Sequence, residues 1–166
     1  MKNPELLEII VPNIIHSLET IKELYRAGFV EHAKAKRDAL RREFQYHTGV
    51  DIDKYISEAA LDYCEKNNIP LKALKPKMPA KIVGGEPNKP ALMAEHIDPI
   101  MEFIDKIMEM EDYQQVHQAL YDFAPICYIT REEDNKLNSA GYRTKRPQGG
   151  YKVYEELGIS YVPFCQ

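Results

Sequence analysis

The chain has 166 residues, 44% of them hydrophobic and 29% charged, with a formal net charge of −4. That composition supports a folded core, and the acidic balance excludes a protein that coats nucleic acid by overall charge. No apolar run approaches the ~18–20 residues of a membrane span, and the charged N-terminus lacks a signal-peptide pattern.

The first half reads as helical. Leu6, Ile9, Ile10, Ile14, Leu18, Ile21 and Leu24 keep a helical period, with Pro12 expected to kink or split the segment. A second helix is predicted over about Glu31 to Tyr46, closing at Gly49, and a third over about Asp53 to Lys66, behind Asp51. Pro70, Pro76, Pro79, Pro87 and Pro90 then exclude helix, and the composition shift near residue 70 marks the expected boundary between residues 1–69 and 70–166. Within the proline-rich stretch, Lys81-Ile82-Val83 and Leu92-Met93-Ala94 read as the two strands of a hairpin around Gly84–Asn88.

Further on, Ile97, Ile100, Met101, Ile104, Ile107 and Met108 recur at helical spacing, with Asp98 as the expected N-cap and Pro99 at the first helical position. A short helix is predicted from Asp112 to Leu120, then a strand from Ile126 to Ile129. Thr130 and Glu133 have capping-box spacing and open another helix that ends near Gly141. The tail from Gly150 to Gln166 carries enough apolar residues to pack back on the core. Cys64, Cys127 and Cys165 are scattered and odd in number, so neither a zinc knuckle nor a disulfide framework is indicated, and a reduced cytoplasmic compartment is expected.

Charge is unevenly spread. Lys136, Arg143, Lys145, Arg146 and Lys152 lie in a stretch without acids, a second basic cluster spans Lys34 to Arg42, and Glu95 to Asp112 is acidic. A local basic patch on an acidic chain can still meet phosphates.

Two junctions stand out for chemistry: a strand that stops at Glu95-His96, and a strand that runs into a capped helix bearing Asn135. Phosphodiester hydrolysis needs a base to activate water and a hard cation to hold the charge on the leaving oxygen. Imidazole suits the first role, carboxylate and amide oxygens the second. Neighbouring strand residues point to opposite faces, so Glu95 and His96 would share one site only at an irregular strand end.

"EHIDP" followed by "YITREEDN" resembles the HNH, or ββα-metal, nuclease superfamily, especially the HNH domain of CRISPR effector nucleases. The resemblance is carried by Glu95, His96, Ile97 and Pro99, then Thr130, Arg131 and Asn135, and covers roughly Lys81 to Gly141. It implies an α+β chain: a helical N-terminal half, then a ββα-metal core with inserted helices. It also implies Glu95 and Asn135 as ligands of one Mg²⁺ or Mn²⁺, His96 as the base, and DNA as the substrate. No Asn lies between His96 and Asn135, so the group that orients the base is assigned to Asp122, with His117 as the second candidate. Arg131, Lys136, Arg143, Lys145 and Arg146 are the expected phosphate contacts. Three functions compete: a metal-dependent endonuclease, a catalytically degenerate module that binds nucleic acid or a protein, and an inhibitor whose acidic face imitates phosphates.

Overall fold

A computed structural model describes residues 3–50, 54–75, 80–86, 89–123 and 125–164 of a mixed α+β chain. Asp51, Asp53, Pro76, Pro79, Pro87, Asn88 and Cys165 lie outside the described residues. In chain order the elements are α1 (Pro4–Arg26), α2 (Val30–Val50), β1 (Lys54–Ser57), α3 (Glu58–Lys66), a 3₁₀ turn (Leu71–Ala73), α4 (Ala80–Val83), β2 (Gly85–Glu86), β3 (Lys89–Pro90) and β4 (Leu92–His96). There follow α5 (Ile100–Met108), α6 (Tyr113–Tyr121), β5 (Ile126–Thr130), α7 (Arg131–Ser139), α8 (Gly150–Glu156) and β6 (Tyr161–Pro163). No described helix is long and apolar enough to cross a membrane.

Contacts divide the chain into two units, residues 1–51 with 100–123, and residues 52–99 with 124–166. The division therefore does not fall at residue 70. Residues 54–66 belong with the sheet, and α5 and α6 belong with the N-terminal helices.

In the helical unit, Asn3 caps α1 by accepting from the Leu6 amide at 3.1 Å, and Pro4 sits in the first turn where its missing N–H costs nothing. Leu7, Ile10, Val11, Ile14, Leu18 and Ile21 form the buried stripe. The helix runs unbroken through Pro12, contrary to the expected split. Pro12 is exposed, so the carbonyl it leaves without a donor can turn to water while the stripe continues on the inner face. Helix α2 likewise continues past Gly49 to Val50. Phe103 packs on Phe123 with ring centroids 4.2 Å apart and edge-on to Phe44 at 5.5 Å, and Arg37 pairs with Asp105 between α2 and α5.

The sheet unit holds four strands in the order β4-β5-β1-β6. Strand β4 is antiparallel to β5, β1 is parallel to β5, and β6 is antiparallel to β1. Two sequence expectations change here. Residues 54–57 form a strand rather than the first turn of a helix: Tyr55 and Ile56 enter cores on opposite faces of the sheet, and Ser57 then caps α3 through the Ala60 amide at 3.0 Å. Lys81–Val83 is a helical turn, and β4 pairs with β5 instead; the small hairpin is β2 with β3. One face of the sheet packs Ile56, Leu92 and Tyr128 against Ala60 and Cys64 of α3. The other packs Cys127 and Ile129 against Leu137 of α7 and Val153 and Tyr154 of α8. Phe164 joins the first core and Ile159 the second, so the tail does pack back.

Candidate functional site

Strand β4 opposes Glu95 to Cys127 and His96 to Ile126, and the Ile97 amide continues the ladder onto the Pro125 carbonyl at 3.1 Å. The pleat is therefore regular to the end of the strand. Met93 and Ile97 lie in the core beneath α7 and α8, which puts Glu95 on that face. Leu92 and Ala94 lie in the opposite core, which puts His96 on the other. The irregular strand end that would bring acid and imidazole to one site is not there.

Glu95 is occupied. Its Oε1 accepts from Nη2 of Arg146 at 2.7 Å. The Arg146 side chain is fully buried: Nη1 donates to the His96 carbonyl at 2.6 Å and to that of Ile97, and Nε donates to the Tyr142 carbonyl at 3.2 Å. The guanidinium also lies 5.6 Å from the centre of the Tyr154 ring. Arg146, expected to grip phosphate, instead crosslinks the strand end to the loop behind it. Burial pushes the Glu95 carboxyl above its usual range; the Arg146 charge and hydrogen bond pull it back, and Asp134 pushes it up again. Burial, with Arg146 second, drives the His96 imidazole down to about 4, so it is neutral at physiological pH.

The start of α8 is tied to the same strand end. Gly150 N–H donates to Oδ1 of Asp98 at 2.8 Å, so Asp98 holds the start of α8, where the sequence suggested a cap for α5. A Cβ at Gly150 would collide with the Ile97 backbone, which is why this position is bare.

Helix α7 opens with the predicted capping box: Thr130 Oγ1 accepts from the Glu133 amide at 3.2 Å, and Glu133 Oε2 accepts from the Thr130 amide at 2.8 Å. Glu133 and Leu137 face the sheet. Asn135 lies midway between them, about 200° of helical rotation from either, and is exposed. The position expected to ligate metal thus points away from the sheet. Asp134 is the α7 residue whose charge reaches Glu95; it pairs with Arg131 at 3.3 Å and accepts from Asn138 at 3.1 Å. Asp122 caps the C-terminus of α6 in the helical unit and accepts from Gln118 at 2.7 Å, and His117 faces Glu8 at 3.7 Å.

Of the expected phosphate contacts, Lys136, Arg143 and Lys145 are exposed, as is Lys152. Among the described residues none of these four forms an ion pair. Arg131 is half-buried, bonded to the Pro90 carbonyl at 3.2 Å, and lines a cleft of about 320 Å³ with Tyr63 and Lys66.

The donor set does not fit the divalent ion that the resemblance implies. A doubly charged ion about 4 Å from the guanidinium would be repelled by roughly 8 kcal/mol at an effective dielectric near 20. Among the described residues, no group of three His, Cys, Asp or Glu side chains is placed to hold a metal. The sequence reading missed the Arg146 clamp, because an arginine in a Gly- and Pro-containing loop looks the same whether it faces phosphate or core. It also missed the buried bond from Ser57 Oγ to Glu133 Oε2 at 2.7 Å, which joins the N-termini of α3 and α7. No protein-family model, curated protein or solved structure matches the chain.

Proposed function

We propose that this chain is a catalytically degenerate HNH-like module that binds nucleic acid through the cations around α7 and α8. The observation that carries the reading is Glu95: its carboxylate serves the buried Arg146 rather than an open metal position. The order β4, β5, α7, an antiparallel pair leading directly into a capped helix, supports a ββα ancestry. Exposed Lys136, Arg143, Lys145 and Lys152 support the choice of a polyanion over a protein partner. One observation favours hydrolysis instead: His96 is held as the free base at neutral pH, the form a general base needs.

Labelled duplex and single-stranded DNA and RNA, titrated by fluorescence anisotropy with and without Mg²⁺ or Mn²⁺, test the two readings together. Metal-independent binding without cleavage is expected. Neutralising Arg143, Lys145 and Lys136 together should flatten the dependence of log affinity on log salt by about 2–3, close to 0.9 per lost duplex phosphate contact. Metal-dependent cleavage that vanishes in His96→Ala would replace the binding reading with the endonuclease. Failure to bind any of these nucleic acids would end both.

A further inference from the structure

We infer that the nucleic acid bound by this chain is single-stranded, and that its unpaired bases stack on a row of tyrosines, Tyr151, Tyr161 and Tyr55, at the β6 edge of the sheet. The inference rests on the nucleic-acid reading above and names the kind of strand that reading leaves open. The ring centroids of Tyr151 and Tyr161 lie 6.0 Å apart with their planes inclined by 39°, and Tyr55 meets Tyr161 edge-on at 5.2 Å. Tyr154, fully buried, also meets Tyr161 edge-on, at 5.9 Å, and anchors the row to the core. Tyr55 and Tyr161 are half-buried against the core beneath α7 and α8, whereas Tyr151 is the outer end of the row, 44% exposed. Strand β6, which carries Tyr161, ends the sheet.

The cations and the rings lie on one side of the sheet. Arg143 acts on Glu95, Glu95 acts on Tyr154, and the Arg146 guanidinium is 5.6 Å from the centre of the Tyr154 ring. Lys152 follows Tyr151 directly on α8. These two chemistries divide a nucleotide between them. Exposed Lys136, Arg143, Lys145 and Lys152 suit its phosphate. Around the rings the charge changes sign: Glu155 acts on Tyr161, and Glu156 accepts from Tyr142 at 3.3 Å and from Gln148 at 2.9 Å. Phosphate is disfavoured there, and the uncharged face of a base is the part of a nucleotide that fits. In a duplex that face is already stacked on its neighbours, so only a single strand presents it. Every base has such a face, so tolerance of sequence is expected.

The experiment is fluorescence anisotropy with labelled probes of equal length: oligothymidylate and oligouridylate, their duplexes with the complementary strand, and an abasic sugar-phosphate strand. At one salt concentration a base-bearing single strand should bind wild type at least about tenfold more tightly than the duplex or the abasic strand. Either the DNA or the RNA strand meeting that margin supports the inference, and their ratio says which is preferred. Tyr151→Ala should weaken single-strand binding about five- to a hundredfold, while its salt slope and the abasic affinity stay as in wild type. Tyr151→Phe keeps the ring and should bind like wild type. Tyr151→Leu keeps apolar bulk without a π face and should behave like Tyr151→Ala. Equal wild-type affinity for base-bearing and abasic strands overturns the inference, as does a duplex bound as tightly as the single strand; both leave the phosphate contacts standing and give the tyrosine row to a protein partner. Full single-strand affinity in folded Tyr151→Leu overturns it as well. Binding to none of the probes ends the nucleic-acid reading and this inference together.

Discussion

Glu133 and Ser57, 76 residues apart, should be energetically coupled. The Glu133 Oε2 atom accepts from Ser57 Oγ at 2.7 Å, from the Thr130 amide at 2.8 Å and from Thr130 Oγ1 at 3.0 Å. Ser57 is fully buried and Glu133 nearly so, so neither group recovers its bond from water when the other is lost. Ser57→Ala removes the α3 cap, about 1 kcal/mol, and one bond to a buried carboxylate, about 1.5–3 kcal/mol; a total near 3 kcal/mol is expected. Glu133→Gln keeps the shape but discharges the acceptor, which should cost about 2 kcal/mol. The double variant should cost about 1.5 kcal/mol less than the two single changes added together, because Ser57→Ala removes the bond that Glu133→Gln weakens. Urea unfolding followed by circular dichroism reads this directly: at a slope near 2 kcal/mol per molar, Ser57→Ala shifts the midpoint by about 1.5 M. Additivity within about 0.4 kcal/mol would refute the coupling and reduce Glu133 to a local capping-box residue.

Two further outcomes are expected. The His96 imidazole titrates near 4 in the folded chain and near its ordinary value of 6.5 when unfolded, so the unfolded state binds more protons between those limits. The His96 contribution is thus fully present above about pH 6.5 and lost as pH falls toward 4, by about 1–3 kcal/mol; urea midpoints at pH 7 and 4.5 should move less in His96→Gln than in wild type, and equal movement would discard this account. Gly150→Ala drives a Cβ into the Ile97 backbone and should cost about 2–3 kcal/mol, whereas Gly149→Ala meets open space and bears only the strain of φ 88°, about 1 kcal/mol. Melting temperatures in the reverse order would mean that the start of α8 does not bear on β4.

The sequence alone determined the elements whose causes are local. The buried stripe of α1, the short helix expected from Asp112 to Leu120, the strand from Ile126 and the Thr130–Glu133 capping box all rest on periodicity or on bonds spanning three or four residues. The Glu-His pair at a strand end was legible for the same reason. What those residues face was not. Tyr55 and Ile56 become a strand because β5 and β6 flank them, and nothing in their own spacing announces it. Asn135 turns outward because Glu133 and Leu137 have cores to enter. Glu95 meets Arg146 across 51 residues, and Asp98 meets Gly150 across 52. A pattern of residue types specifies which groups are charged, but it does not specify which charges lose their water. That loss depends on which distant segments pack over them, and here it turned an arginine expected at a phosphate into the cation beneath the strand.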